Sequence, residues 1–299
     1  MNVGMVGLGK MGLNLALNMI DNKIEVYGFD KYITDEVKKE YNKIRYMSTL
    51  KELVSSLNSP RIVWVMVPSG DIAESVLDEL SLLLDKGDIL IDGGNSKYTD
   101  TLRRYNTFKE RGVHLIDSGT SGGVYGARNG ACLMVGGEKE IVKSIENLFV
   151  SVATKDGYAY MGAPGSGHFV KMVHNGIEYG MMQAIGEGFD LLNASQFDLN
   201  YPDVAKVWAN GSIIEGMLMS TVLSAVSKDE KLESIEGRVD DSGEGQWTVE
   251  EALKLKVSTP VIAQALFSRY KSKDDTKFSE KVVAAMRNEF GGHKVYKKK

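Results

Sequence analysis

The sequence has a single cysteine, no long apolar run and no large excess of charge of one sign. Cys132 alone cannot form an internal disulfide, and cysteine and histidine show no metal-ligand spacing, so we expect a reduced, metal-free, cytoplasmic protein. No apolar stretch reaches the ~18 residues of a membrane span, and the strand-like run Val3–Val6 begins too near Met1 for a signal segment. The formal net charge of −4 gives no reason to expect a nucleic acid or membrane partner. We expect small-molecule ligands and, at Lys297–Lys299, a solvated tail.

The distribution of apolar residues divides the chain into two parts. Up to about residue 160, short apolar runs alternate with helical patterns, which is typical of βαβ units. The predicted strands are Val3–Val6, Ile24–Phe29, Ile62–Val67, Ile89–Ile91, His114–Ser118 and Ala131–Val135. Helical spacing then takes over, and its first segment, Ser166 to Asn193, would be about 40 Å long as a helix. We predict an α/β Rossmann-like domain with a mostly parallel sheet over residues 1–162 and an all-helical domain over residues 163–299.

A glycine-rich run, Gly7-Leu8-Gly9-Lys10-Met11-Gly12, lies between the first predicted strand and a helix-like segment. In this context a GxGxxG motif binds the pyrophosphate of a dinucleotide at the N-terminus of a helix. Gly7 would allow the tight turn, Gly9 the approach of the pyrophosphate, and Gly12 the close packing of the helix. The sequence therefore predicts a nicotinamide dinucleotide site formed by these six residues.

Asp30 ends the second predicted strand, at the position where an acidic residue binds the ribose hydroxyls in NAD-binding folds. Its carboxylate would repel a 2′-phosphate, so we expect NAD to be preferred over NADP. Lys31 works against this preference, because a cation beside that phosphate would help NADP to bind. The alternative interpretation of Asp30 is a turn residue, since aspartate is common at strand ends for local reasons.

Three further polar segments follow predicted strands, where an open parallel sheet binds its ligands. Val67-Pro68-Ser69-Gly70 follows the third strand and Asp92-Gly93-Gly94-Asn95-Ser96 the fourth. We expect the cofactor to be contacted by Val67, Pro68, Ser69 and Asn95. Ser118-Gly119-Thr120-Ser121-Gly122-Gly123 follows the fifth strand and is interpreted as a loop with donors for a carboxylate or sugar. As isolated sequences, the first two segments could be simple turns.

A polar stripe marks the first long helical segment. Lys171, His174, Asn175 and Glu178 fall at positions i, i+3, i+4 and i+7, which places them on one face of a helix. Such a stripe is commonly a solvated surface. Here the flanking residues are apolar, which indicates a helix buried over much of its circumference, where polar groups need partners or a chemical role.

In order along the chain, four segments resemble those of 6-phosphogluconate dehydrogenase: Gly7–Asn14, Asp92–Ser96, Ser121–Gly123 and, above all, His168–Tyr179. The resemblance covers nearly the whole chain and is to the compact bacterial form of the family, which lacks the second half of the helical domain. It implies oxidative decarboxylation of 6-phosphogluconate to ribulose 5-phosphate and carbon dioxide, with reduction of NAD and without a metal ion.

The resemblance also implies roles for individual residues. Lys171 would be the general base for the hydroxyl on the third carbon, and Glu178 the acid that protonates the product. An ordinary lysine has a pKa of about 10.4, so the site would have to favour the neutral amine. The substrate-binding residues would be Asn95, Ser121, Gly122, Gly123, His174, Asn175, Tyr179, Arg269, Arg287 and His293.

Three of these residues, Arg269, Arg287 and His293, would bind the phosphate, since cations suit a dianion. In the family the tail that carries Arg287 and His293 enters the neighbouring protomer's site. The resemblance therefore implies a homodimer or tetramer held together by the helical, substrate-binding domain. The alternative interpretation of this tail is an ordinary charged C-terminal helix.

The sequence departs from the family at two places. The longer members resemble Lys-Gly-Thr-Gly-Lys-Trp-Thr where this chain has Ser242-Gly243-Glu244-Gly245-Gln246-Trp247-Thr248, so two cations are replaced and an acid is added. The part of this loop in phosphate binding is therefore in question. Val124-Tyr125 also replaces the acidic pair that usually follows Ser-Gly-Gly.

Two other functions compete with this interpretation. A β-hydroxyacid dehydrogenase of the 3-hydroxyisobutyrate type shares the fold, the Ser-Gly-Gly segment and the helical lysine. It gives no reason for the Asp92–Ser96 segment, for Glu178-Tyr179 or for the Arg287–His293 tail. A non-catalytic protein that senses dinucleotides would keep the fold without turnover, but it gives no reason for Lys171 and Glu178.

Overall fold

The structure, a computed structural model, describes residues 1–297, so the last two lysines of the predicted tail lie outside the described residues. The chain folds as two compact units, Met1–Gly176 and a second that begins at Ile177. The division lies within one long helix, Ser166–Asn193. The predicted domain boundary after residue 162 falls in the connection that precedes this helix.

The first unit alternates strands and helices. Its strands are β1 (Asn2–Val6), β2 (Glu25–Phe29), β3 (Arg45–Tyr46), β4 (Ile62–Val65), β5 (Ile89–Asp92), β6 (His114–Ser121), β7 (Ala131–Gly136) and β8 (Ala153–Gly162). Its helices are α1 (Lys10–Asp21), α2 (Asp35–Glu40), α3 (Leu50–Ser55), α4 (Asp71–Leu83), α5 (Tyr98–Glu110), α6 (Gly123–Asn129), α7 (Lys139–Ser144), α8 (Glu146–Val152) and the first turns of α9 (Ser166–Asn193).

The strands form one eight-stranded sheet in the order β3-β2-β1-β4-β5-β6-β7-β8. All neighbouring pairs are parallel except β6 and β7, which are antiparallel. β4 and β5 are buried along their whole length, because apolar clusters that contain helical residues cover both faces of the sheet. The predicted Rossmann-like α/β fold is confirmed.

The structure corrects the sequence-based prediction at three strands. β3 has only two residues, and β8 begins with exposed polar residues, Thr154 to Asp156, and neither of these edge strands was predicted. β6 continues to Ser121, so the predicted end of this strand at Ser118 was wrong, and Gly119–Ser121 belong to the strand rather than to a loop. The reason is the antiparallel partner β7, which pairs with β6 from Asp117 to Ser121.

The second unit contains the remainder of α9 and five further helices: α10 (Tyr201–Trp208), α11 (Met217–Val226), α12 (Glu244–Leu255), α13 (Pro260–Ser272) and α14 (Phe278–Gly291). Between residues 177 and 297 the structure assigns no strand, which confirms the predicted all-helical second part. Small apolar clusters form its core, one around Tyr201 and one around Leu266. Within the described chain, every helix is too short or too polar to span a bilayer.

Candidate functional site

The glycine-rich run forms the turn between β1 and α1. Gly7 has φ +89°, and a Cβ built on it would lie 2.5 Å from the carbonyl oxygen of Met66. A Cβ on Gly12 would overlap the carbonyl oxygen of Gly7. Gly9 differs from both, because its φ is −66° and a Cβ built on it would meet nothing within 4 Å. The fold itself therefore requires glycine at positions 7 and 12 but leaves open space at position 9.

That open space lies beside the N-terminus of α1, where Gly9 precedes the helix and provides no side-chain cap. The first N–H groups of a helix have no partner within the helix and attract anions. A dinucleotide pyrophosphate fits both the space and the donors. Of the other predicted residues in this run, Lys10 is exposed and Met11 is half-buried, whereas the side chain of Leu8 is buried.

Asp30 follows β2 and holds the glycine-rich turn in place. One carboxylate oxygen accepts the N–H of Leu8 at 2.7 Å, and the other accepts the N–H of Tyr32, also at 2.7 Å. The carboxylate therefore has the local turn role that was the alternative interpretation. A carboxylate offers about four acceptor sites, so these two bonds leave room for a ribose hydroxyl. Lys31 is exposed, with its Nζ 5.8 Å from the centre of the Tyr32 ring.

The predicted cofactor loops after β4 and β5 lie at the same edge of the sheet as the glycine-rich turn, because β1, β4 and β5 are parallel neighbours. Val67 is half-buried, and Pro68 and Ser69 are exposed. Asn95 is also exposed. The strand order therefore brings these residues to the edge where an open parallel sheet binds nucleotides.

Arg104 was not predicted, yet it organises the loop that carries Asn95. Its side chain is 4% exposed, and its Nη1 donates to Asp92 Oδ2 at 3.1 Å and to the hydroxyl of Ser96 at 3.0 Å. Its other face donates to Glu74 of α4. Asp92 and Ser96 are thus held by each other and by Arg104, so they shape the loop. An arginine in the middle of α5 gives no sequence signal for this role.

The catalytic lysine predicted from the sequence lies in a hydrogen-bonded cluster within the first unit. Lys171 is 6% exposed, and its Nζ donates to Asn175 Oδ1 at 2.8 Å and lies 3.4 Å from His174 Nδ1. His174 Nε2 lies 3.2 Å from the hydroxyl of Ser121 at the end of β6. Gly122, with φ +103°, turns the chain away after that strand. The structure therefore brings together four of the predicted site residues.

A second cluster lies in the second unit, around Tyr179 of α9. The guanidinium of Arg269 stacks on the Tyr179 ring, with its carbon 3.5 Å from the ring centre, and donates to the carbonyl of Asp240 at 2.7 Å. The Tyr179 hydroxyl donates to Asp241 Oδ1 at 3.2 Å. Burial raises the pKa of Tyr179, which keeps this hydroxyl protonated as a donor.

The segment Ser242–Thr248, which departs from the family, packs against this tyrosine. The expectation that it is a loop was wrong, because α12 begins at Glu244. A Cβ on Gly245 would overlap the Tyr179 ring, so the start of α12 approaches the ring closely. The hydroxyl of Ser242 lies 3.4 Å from the Tyr179 hydroxyl and donates to the buried carboxylate of Glu244 at 2.5 Å. The start of α12 and the two residues before it therefore support Tyr179 with neutral and acidic groups.

The remaining predicted residues occupy three other places. Glu178 is half-buried on α9. Arg287 lies on α14, and His293 follows the end of that helix. Both are exposed, and no residue of α14 is buried. In the described part of the chain, no three histidine, cysteine, aspartate or glutamate side chains are grouped so that they could hold a metal ion.

Comparisons with known proteins match both units. A family model described as the NAD binding domain of 6-phosphogluconate dehydrogenase matches residues 2–168, and one described as the C-terminal domain of 6-phosphogluconate dehydrogenase matches residues 167–299. YqeC of Bacillus subtilis, whose name gives 6-phosphogluconate dehydrogenase as a provisional activity, is 53% identical over the full length of both chains.

Two further matches differ from each other in how much of the related protein this chain covers. The NAD(+)-dependent, decarboxylating 6-phosphogluconate dehydrogenase of Haloferax volcanii is 38% identical, over 100% of this chain and 99% of that protein. The solved structure of Plasmodium falciparum 6-phosphogluconate dehydrogenase superposes with a TM-score of 0.82 at 28% identity. That match covers 100% of this chain and 66% of the Plasmodium chain, so the present chain spans about two thirds of the length of that protein.

The different surroundings of the glycines give a test of the dinucleotide site. Gly9→Ala should leave thermal stability unchanged, because the fold has room for the methyl group, but should weaken NADH binding at least about tenfold by obstructing the pyrophosphate. Gly12→Ala should lower the melting temperature, because its methyl group would overlap the Gly7 carbonyl. Calorimetric titration with NADH and thermal unfolding measure the two effects.

Gly188→Ala is the matched control, because this glycine of α9 also has nothing within 4 Å of a built Cβ. It should bind NADH like the wild type. Wild-type NADH affinity in Gly9→Ala would mean that the pyrophosphate does not approach this turn.

Proposed function

The chain belongs to the 6-phosphogluconate dehydrogenase family, and on that premise we propose that it converts 6-phosphogluconate to ribulose 5-phosphate and carbon dioxide while reducing NAD. The observation that carries the proposal is the buried Lys171, which is hydrogen-bonded to Asn175 and lies next to His174, whose other ring nitrogen contacts Ser121. This arrangement holds one amine among donors and acceptors that suit a polyhydroxy acid.

Lys171 acts first as the base. Its neutral amine takes the proton of the hydroxyl on the third carbon as the hydride leaves that carbon. The bound nicotinamide ring supplies the hydride acceptor. Burial favours the neutral amine over the ammonium, so the 6% exposure of Lys171 supports this role. The hydrogen bond to Asn175 Oδ1 directs the Nζ of Lys171.

Lys171 then acts as the acid for decarboxylation. The oxidised intermediate is a 3-keto acid, whose carbon–carbon bond to the carboxylate breaks with the electron pair passing toward the ketone. The ammonium of Lys171 donates its proton to the ketone oxygen, so carbon dioxide leaves and an enediol remains. Glu178 protonates the carbon that carried the carboxylate, and Lys171 takes back the enol proton.

The proposal also assigns residues to the phosphate of the substrate and to the cofactor. Tyr179 and Arg269 bind the phosphate through the pair that they form on α9 and α13. Arg287 and His293, both exposed, serve the site of a neighbouring protomer in a dimer or tetramer. The cofactor is held by the Gly7–Gly12 turn, with Asp30 toward the ribose.

One assay tests this function directly. Reduced cofactor and carbon dioxide are measured together from 6-phosphogluconate, with NAD and NADP in parallel and with gluconate and 3-hydroxyisobutyrate as alternative substrates. The proposal expects equal amounts of both products from 6-phosphogluconate alone. Turnover of 3-hydroxyisobutyrate without 6-phosphogluconate activity would favour the β-hydroxyacid dehydrogenase, and NADH binding without any product would favour a dinucleotide sensor.

The two catalytic residues can be separated by single-turnover kinetics. Lys171→Met should give no reduced cofactor in the first turnover, because the base is absent. Glu178→Gln should keep the first burst of reduced cofactor but slow the steady state about 100-fold, because the later protonation is impaired. Stopped-flow absorbance of the reduced nicotinamide measures both phases.

Glu187→Gln serves as the matched control, since Glu187 is an exposed acid on the same helix that accepts a hydrogen bond from Gln183. It should retain wild-type kinetics. Wild-type turnover in Lys171→Met would refute the assignment of the base.

Variants of Asp30 test the proposed preference of the enzyme for NAD over NADP. The wild type should have higher catalytic efficiency with NAD than with NADP, because the carboxylate repels a 2′-phosphate. Asp30→Asn should narrow this ratio by removing that repulsion. Asp35→Asn, which removes the same charge from an exposed position on α2, should leave the ratio unchanged. A clear NADP preference of the wild type would contradict the role of Asp30.

A further inference from the structure

The first turn of α9 is capped by a residue from a distant strand. The residue before this helix is Gly165, whose carbonyl accepts the first helical hydrogen bond from Phe169 but which has no side chain to cap the turn. Asp117 of β6 supplies the missing cap. One oxygen of its carboxylate accepts the N–H of Gly165 at 2.7 Å, and the other accepts the N–H of His168 at 2.8 Å.

The Asp117 carboxylate is fully buried, with 0% exposure. It lies over Gly136, the residue paired with it on β7, where a built Cβ would stand 2.7 Å from its Oδ1. A buried carboxylate is favourable only where donors compensate its charge, and here two N–H groups at the positive end of a helix do so. The two hydrogen bonds of the Asp117 carboxylate thus fix the first turn of α9 against the sheet.

The same strand contacts the helix again one turn later. A Cβ built on Gly119 of β6 would overlap the Cβ of Lys171, so the lysine backbone lies directly on the strand. β6 thus holds α9 at two points, by the carboxylate of Asp117 at His168 and by the absence of a side chain at Gly119. Lys171 lies three residues after His168, so any shift of the capped turn moves the lysine.

We propose that Asp117 is a positioning residue for Lys171, which acts by capping α9 and thereby fixes where the amine stands beside His174 and Asn175. The proposal rests on the proposed function, in which that amine is the base. Asparagine cannot replace the aspartate, because its NH₂ group would face one of the two N–H donors.

The test compares Asp117→Asn with a matched variant, Asp88→Asn. Asp88 is likewise buried, at 2% exposure, and its carboxylate also accepts two backbone N–H groups, those of Arg61 and Asp85. It additionally accepts the Arg61 guanidinium at 2.9 Å, and it lies just before β5, away from α9 in sequence. Asp117→Asn should lower kcat per folded molecule about 100-fold, while the KM for NAD and the affinity for NADH stay unchanged. Asp88→Asn should lower the melting temperature and leave kcat per folded molecule at the wild-type value.

A second readout does not depend on the substrate. Reductive methylation of Lys171, followed by peptide mass spectrometry, should be faster in Asp117→Asn, because the released turn exposes the amine, and unchanged in Asp88→Asn. Gly119→Ala should behave like Asp117→Asn, since its methyl group displaces Lys171 without removing a charge. It decides the question if Asp117→Asn does not fold.

The outcomes separate the two hypotheses. If wild-type enzyme gives no product from 6-phosphogluconate, the proposed function fails, and the methylation rates alone decide whether Asp117 positions Lys171. Wild-type kcat and methylation in Asp117→Asn would overturn the positioning role. Equal losses of kcat in Asp88→Asn would also overturn it, because they would show an effect common to buried carboxylates.

Discussion

The close packing of the first turn of α9 on β6 and β7 is the constraint on which the site depends. Three glycines make it possible, because a Cβ on Gly119 would overlap Lys171, one on Gly136 would lie 2.7 Å from Gly167 N, and one on Gly167 would overlap Met134 O. No side chain separates helix from strand at these points. The functional consequence is geometric. The sheet fixes the position of the Lys171 backbone, so the site of the amine is set by buried strands.

The antiparallel pairing of β6 with β7 gives this packing its second partner. β6 runs parallel to β5 only as far as the pair of Asp117 with Asp92, and then continues to Ser121 along β7. Four further residues carry the chain about 13 Å past the end of β5. Ser121 therefore reaches His174, 3.2 Å away, from a hydrogen-bonded strand rather than from a mobile loop. With parallel neighbours on both sides, β6 would have ended level with the carboxyl ends of β4 and β5.

Sequence patterns predicted the elements whose signal is local. The glycine-rich turn, the buried strands and the helical face of Lys171, His174 and Asn175 follow from spacing that the structure reproduces. The exposed start of β8 and the extension of β6 depend on pairing with a distant strand, which no local pattern encodes. The same holds for Arg104 and Asp117, whose partners lie 8 to 51 residues away in sequence. The stacking of Arg269 on Tyr179 likewise joins residues whose relation only tertiary packing reveals.

The proposed cycle requires one further proton transfer, because the protons on its two catalytic residues do not return to their starting positions. Lys171 takes the hydroxyl proton during oxidation, returns it during decarboxylation, and receives the enol proton when the product ketone forms. Glu178 has by then given its own proton to carbon, so each turnover ends with an ammonium and a carboxylate where it began with an amine and an acid. One proton must therefore pass from the lysine to the glutamate before the next turnover. In the proposed cycle the base alone cannot restore its own starting state.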